Sequence, residues 1–224
     1  MESIENRVYF LNIREMRSHK KFYKFIDKER QQRVGKYRFA MDKLRAIYGG
    51  ILLRYAIIAN TGMTNDLISF SYNPFGKPFL ENSDLHVNLS HSGDFVICVI
   101  SSTKVGVDIE KHTNSFNHIF HFLHEEEKKH LILDGGNKEK LFQQWCLKES
   151  YIKFIGKGLS CQLDSFKILF NEDGLLCGDN NLEYSPKFEL LEISDGYSSA
   201  VCYSHGEINE IVGVSERDLT KYFN

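Results

Sequence analysis

The 224-residue sequence has only three prolines and one tryptophan, and no apolar run of the ~20 residues that a membrane-spanning helix needs. No apolar segment follows Met1, so no secretory leader is expected. Its five cysteines (Cys98, Cys146, Cys161, Cys177 and Cys202) are odd in number and contain no C-x-x-C pair. Free thiols in a reducing compartment fit that pattern better than a disulfide framework, so a soluble, cytoplasmic protein is expected. There is no P-loop and no G-x-G-x-x-G. Low-complexity tracts and Pro/Gly/Ser-rich linkers are also missing, which excludes collagen-like and disordered classes. What is present, 42% hydrophobic and 26% charged residues, is ordinary globular composition. A chain of this length buries roughly 70% of its unfolded surface and needs no metal or disulfide staple to fold.

The net charge of −2 argues against wholesale nucleic-acid binding. It is unevenly spread. Arg14 to Arg54 holds 13 basic and 4 acidic residues, whereas residues 113–224 carry 11 basic and 18 acidic. Such a basic stretch attracts phosphates or an acidic protein surface, although a solvated helical face has the same composition.

Hydrophobic periodicity predicts a strand at Arg7–Ile13. Helices follow over 18–35, with Ser18 as N-cap, and over Asp42–Asn60, ended at Asn60 and Gly62. Ile68–Tyr72 reads as a strand, Asn73–Pro78 as a turn, and Val87–Ser90 and Phe95–Ser101 as strands. Val105–Glu110 is the next strand. Helices are then expected over Asn117–Leu133, closed by Gly135-Gly136, and over Lys138–Ile155, stopped at Gly156. Three strands finish the chain: Ser165–Phe170, Phe188–Ile193 and Ser199–Ser204. The order strand, two helices, several strands thus occurs twice. It predicts an α+β fold of two similar halves, 1–104 and 105–224, with a shared site between them.

Four segments carry chemistry. In Val105–Glu110 strict alternation puts Gly106, Asp108 and Glu110 on one face, with about 6.5–7 Å between the Cα atoms of the two acids. Like charges this close repel unless a cation lies between them, and hard oxygens suit Mg²⁺ or Mn²⁺. Gly106 is expected to leave the surface beside Asp108 open for a ligand. In Trp145–Lys153, Glu149 falls on the apolar stripe formed by Leu141, Trp145 and Ile152, and a buried carboxylate normally needs a cation or a metal. Lys153 lies four residues on, placed for a surface ion pair with Glu149. Asn88–Gly93 offers hydroxyls, the His91 imidazole and turn amides to a phosphate, while Phe75-Gly76-Lys77-Pro78 is a rigid turn presenting one lysine. His118, His121, His124 and His130 drift around their helix at steps of three and do not make a zinc site.

Taken in order, Phe75–Pro78, Asn88–Ser92, Gly106–Glu110 and Trp145–Lys153 resemble the Sfp-type 4′-phosphopantetheinyl transferases. The likeness extends from about Phe25 to Ser204. It implies two α+β halves related by a pseudo-two-fold axis in a monomer, with coenzyme A bound in the cleft between them. It implies Mg²⁺-dependent transfer of the phosphopantetheine arm to a serine of an apo acyl or peptidyl carrier protein, releasing adenosine 3′,5′-bisphosphate. By the same resemblance Asp108, Glu110 and Glu149 ligate the metal, and Lys77 and Lys153 neutralise phosphate charge. Ser90 and His91 bind the coenzyme A phosphates, and Arg30, Arg33 and Arg45 are basic ligand-binding residues. Glu149, or a water held by Glu110, takes the serine proton.

Arg30 and Arg33 stand where a well-known bacterial relative has lysines, and Ala46 where it has a hydroxyl residue. Two other classes use similar residues: a metal-dependent phosphohydrolase acting on nucleotides, and a non-catalytic coenzyme A binding protein. The basic Arg14–Arg54 stretch is the expected counterpart of an acidic carrier. KM for the carrier should then rise clearly between low and physiological ionic strength. A flat salt profile in steady-state kinetics would move the docking surface off this stretch.

Overall fold

A computed structural model describes residues 5–114, 117–133, 135, 137–170, 176–178 and 186–224. The chain is α+β. It opens with strand β1 (Asn6–Asn12), short helices α1 (His19–Phe22) and α2 (Lys28–Lys36), and the long helix α3 (Ala40–Thr61). Strands β2 (Phe70–Tyr72), β3 (Pro78–Leu80), β4 (His86–Ser92), β5 (Phe95–Ser101) and β6 (Val105–Lys111) follow. Next come α4 (Asn117–His121), α5 (Glu125–Leu133) and the long α6 (Lys138–Ile155). The chain closes with β7 (Ile168–Phe170), β8 (Leu176–Gly178), β9 (Lys187–Leu191), β10 (Tyr197–Tyr203), β11 (Ile208–Gly213) and α7 (Glu216–Tyr222).

Two sheets form the frame, one ordered β11-β1-β5-β4 and the other β6-β10-β9. The period of two along each strand explains how they stack. Val96, Cys98 and Ile100 of β5 pack with Ile51, Leu52 and other α3 residues, while Phe95, Ile97 and Val99 face Val105, Val107 and Ile109 of β6. On β10, Ala200 and Cys202 pack with Cys146, Leu147 and Tyr151 of α6. The layers therefore run α3, first sheet, second sheet, α6. Every residue of β5 is buried, as expected of a strand covered on both faces.

Several expectations change. The helix expected over 18–35 is two helices joined by a 3₁₀ turn at Tyr23–Phe25. Ser18 makes no side-chain cap, whereas Asp27 accepts the Arg30 amide and starts α2. The helix expected over Asn117–Leu133 breaks before Glu125, where the Glu127 carboxylate takes the His124 amide at 2.8 Å. Of the closing glycines, Gly135 adopts φ +85, and Gly136 lies outside the described residues. β11 pairs in parallel with β1, and Leu219 and Phe223 join the core beneath α3, so residues 208–224 pack with the N-terminal elements β1 and α3.

A buried ion pair fixes α6 from the side away from β4. Lys148 Nζ lies 2.8 Å from each Glu127 carboxylate oxygen and 2.6 Å from the Phe166 carbonyl, with both side chains fully inaccessible. Glu127 also accepts from Gln144 at 2.9 Å and from the Ile168 amide at 2.8 Å. Removing one partner leaves an uncompensated buried charge. Lys148→Met should cost about 3–5 kcal/mol of unfolding free energy in urea titrations. Breaking the Lys128–Glu125 pair, whose carboxylate is exposed, by Lys128→Met should cost under about 1 kcal/mol.

Candidate functional site

β4 and β6 belong to different sheets but lie side by side, joined by polar side chains two residues apart. The Val107 amide donates to Asn88 Oδ1 at 2.9 Å. Ser90 Oγ donates to Asp108 Oδ1 at 2.7 Å, and Ser92 Oγ donates to Glu110 Oε2 at 2.7 Å while accepting the Lys111 amide at 3.1 Å. Alternation places Val87 in the α3 core and Asn88, Ser90 and Ser92 toward β6. The Asn-x-Ser-x-Ser and Asp-x-Glu spacings thus mate in register.

α6 supplies the second wall. It lies against the β6 backbone because Gly106 has no side chain: a Cβ there would collide with the Ser150 carbonyl and the Phe154 amide and fall 2.9 Å from Phe154 Cα. Gly106 is therefore filled by a helix, not open to a ligand as its alternation suggested. The close approach brings Lys153 Nζ to 2.6 Å from Asp108 Oδ1 and 2.8 Å from Ser90 Oγ. Lys153 pairs with Asp108 across the two elements instead of with Glu149 along its own helix. Burial works against its ammonium, but the charges of Asp108, Glu149 and Glu110 outweigh it and raise its pKa. Asp108 is 2% exposed. Burial, reinforced by Asp108, pushes Glu110 up to about 7 and raises Glu149 in the same way.

These carboxylates and Lys153 line a cavity of about 350 Å³ whose opposite wall is basic. Arg30 and Arg33 reach it from α2, Ala46 from α3, and Ser90 and His91 from β4. Gly50 makes room for Arg30, since a Cβ would sit 2.5 Å from Arg30 Cδ. Arg33 donates to the Tyr72 hydroxyl at 2.8 Å, with its guanidinium 4.8 Å from that ring's centre. Tyr72 and Tyr37 line the cavity without having been singled out in the sequence. His91 is at the rim. Partial withdrawal of its ring from water, then the nearby Lys153, Arg45 and Arg30, lower its pKa and favour the neutral imidazole. One cavity therefore offers cations at one end and carboxylates at the other, the complement of a ligand carrying several phosphates.

Two expected phosphate ligands are placed elsewhere. Lys77 turns away from the cavity and donates to the carbonyls of Val105 at 3.1 Å, Lys153 at 2.6 Å and Phe154 at 3.1 Å. All three ammonium donors are thereby engaged. Burial pushes its pKa down to about 8. Arg45 is not among the cavity-lining residues; it donates to the Gly93 carbonyl at 2.8 Å and to Asp42 at 2.7 Å, holding the β4–β5 turn.

Among the described residues no three His, Cys, Asp or Glu side chains stand together as they would around a metal ion. The donor set nonetheless suits a hard divalent cation. Asp108, Glu110 and Glu149 share the cavity, and Asp108 Oδ2 is buried without a hydrogen-bond partner. A cation would offset both the burial and the Asp108 charge that raise the two glutamates.

Known proteins resemble this chain along most of its length. The family described as 4′-phosphopantetheinyl transferase, N-terminal, matches residues 15–103, and the 4′-phosphopantetheinyl transferase superfamily matches residues 104–202. The chain is 33% identical over 205 residues to the 4′-phosphopantetheinyl transferase Sfp of Bacillus subtilis (strain 168), covering 89% of this chain and 92% of that protein. It is 34% identical over 180 residues to 4′-phosphopantetheinyl transferase gsp of Aneurinibacillus migulanus, covering 79% and 76%. It is 30% identical over 226 residues to the L-aminoadipate-semialdehyde dehydrogenase-phosphopantetheinyl transferase of Mus musculus, covering 88% and 72%.

Proposed function

The chain belongs to the Sfp-type 4′-phosphopantetheinyl transferase family, and from that membership we propose how its cavity moves the phosphopantetheine arm of coenzyme A onto a carrier-protein serine. It is a transferase. The serine oxygen forms a bond to the phosphorus bearing pantetheine, the bond from that phosphorus to the adenosine side breaks, and adenosine 3′,5′-bisphosphate leaves. The observation that carries the reading is the bipolar cavity, with Arg30 and Arg33 at one end and Asp108, Glu110, Glu149 and Lys153 at the other.

Phosphoryl transfer depends on positioning and charge neutralisation more than on covalent help. Arg30 and Arg33 hold the 3′-phosphate, with His91 at the rim as a further hydrogen-bonding partner. Lys153, kept protonated by Asp108, meets the negative charge that develops on the transferred phosphate. Asp108, Glu110 and Glu149 are the residues that would hold Mg²⁺ (or Mn²⁺). When bound, the ion supplies Lewis-acid neutralisation of the pyrophosphate. Burial and the charge of Asp108 raise the proton affinity of Glu110 and Glu149. Glu149, or a water held by Glu110, takes the serine proton. Ser90 serves by holding Asp108 and Lys153 together, its hydroxyl being engaged by both. The enzyme acts as a monomer in the cytoplasm, on coenzyme A and an apo acyl or peptidyl carrier, without nucleic acid or membrane. No helix among the described residues is long and apolar enough to cross a membrane.

Asp108→Ala should remove transfer by about a hundredfold or more in kcat at saturating Mg²⁺, the several kcal/mol that such a site supplies. Near-normal turnover would refute the assignment of the carboxylates. The 3′-phosphate lies far from the bond that breaks, so its contacts supply mainly uniform binding. Dephospho-coenzyme A should therefore react with a higher KM and a similar kcat. Arg30→Ala and Arg33→Ala should mimic that change with coenzyme A and add little with dephospho-coenzyme A. Equal weakening of both substrates would place the arginines elsewhere on the ligand or against the carrier.

A further inference from the structure

We propose that Lys77 is a positioning residue: with Asn73 it latches the turn between β2 and β3 onto the last turn of α6, and so sets where Lys153 meets Asp108. The inference rests on the reading that Lys153 acts on the transferred phosphate.

The last carbonyls of a helix have no partner within it, and the helix dipole makes its C-terminus attractive to a cation. Lys77 answers both needs at once, taking the carbonyls of Lys153 and Phe154 together with that of Val105 on β6. Asn73 adds a bond from its amide nitrogen to the Gly156 carbonyl at 2.7 Å. Its amide oxygen accepts the backbone amides of Phe75 and Lys77, each at 2.9 Å, so the same side chain that grips α6 also shapes the turn. Gly156 fits the latch on two counts. It adopts φ +73, a left-handed conformation that favours glycine, and a Cβ there would lie 3.2 Å from Lys77 Cδ and 3.3 Å from Asn73 Nδ2. Gly76 and Pro78 of the same turn line the cavity on the other side. The turn therefore joins three things: the cavity wall, the start of β6 and the end of α6. Lys153 is held at both ends, its carbonyl by Lys77 and its ammonium by Asp108. Release of the carbonyl leaves the ammonium to find Asp108 from a looser helix end.

Steady-state transfer kinetics of Lys77→Met, Lys153→Ala and the double variant test this. Lys77→Met should lower kcat about ten- to hundredfold, as small misplacements do, with KM for coenzyme A within about twofold. In the Lys153→Ala background the same change should have almost no further effect, because residues acting through one another are not additive. Three results overturn the latch: a kcat loss of equal size in both backgrounds, an unchanged kcat, or a large rise in KM with kcat intact. The last would make Lys77 a direct ligand of the substrate. Lys153→Ala alone reports on the phosphate role separately, since an unaltered kcat there sinks that role whatever Lys77 does. The latch then stands or falls on amide exchange of residues 154–156, which must quicken in Lys77→Met. Should Lys77→Met fail to fold, Asn73→Asp removes the donor to Gly156 but keeps the acceptor that shapes the turn. The same kinetic pattern is expected from it, and its absence overturns the proposal.

Discussion

Asn88, Ser90 and Ser92 on β4 reach across to Val107, Asp108, Glu110 and Lys111 on β6, and this polar seam sets the geometry on which the rest of the site depends. Register along a strand comes in steps of two, and a slip of one residue would turn each of these side chains to the opposite face. The seam therefore fixes which carboxylates face the cavity and how far apart they stand. It also bridges the two sheets, whose facing side chains on β6, Val105, Val107 and Ile109, are apolar. Hydrogen bonds supply the specificity, and buried polar groups that lose a partner carry the penalty for error.

α6 connects that seam to the second half. Two neighbouring residues point to opposite fates: Lys148 into a dry pocket with Glu127, and Glu149 into the cavity. The buried pair fixes the rotation of the helix about its axis, Gly106 fixes its distance from β6, and the Lys77 turn holds its end. With those constraints met, Lys153 arrives at the one position from which it bonds both Asp108 and Ser90. The basic wall is built independently, from α2 resting on Gly50 of α3, so binding of the ligand's distant phosphate and positioning of its reacting centre rest on separate contacts.

Much of this is legible in the sequence, and the failures have physical causes. β5 and α6 fall on their expected bounds because β5 is an unbroken apolar run from Phe95 to Ile100 and α6 lies between the Asn137 cap and the stop at Gly156. The alternation that paired Asp108 with Glu110 also put Gly106 on their face, but could not say that a helix backbone rather than a ligand would cover it. Lys148 does not stand out in the sequence, because a lysine reads as solvated unless its partner is known, and Glu127 lies 21 residues away. Ser215 and Asp218 form a capping box that marks the start of α7 in the sequence itself, yet β11 before it mixes Asn209 and Glu210 with apolar residues and hides its strand pattern. A phosphate role for Lys77 and Arg45 comes from the family resemblance. Their positions in the motif say that a cation belongs there, not which acceptor it faces.

The most direct test of the account is to weigh an apo acyl or peptidyl carrier protein by mass spectrometry after incubation with this enzyme, coenzyme A and Mg²⁺, while measuring the nucleotide released. The account predicts that the carrier gains one phosphopantetheine arm on serine and that adenosine 3′,5′-bisphosphate appears in equal amount. Coenzyme A cleaved without any gain in carrier mass would contradict it and make the protein a hydrolase. Coenzyme A bound but left intact would make the cavity a binding site without chemistry.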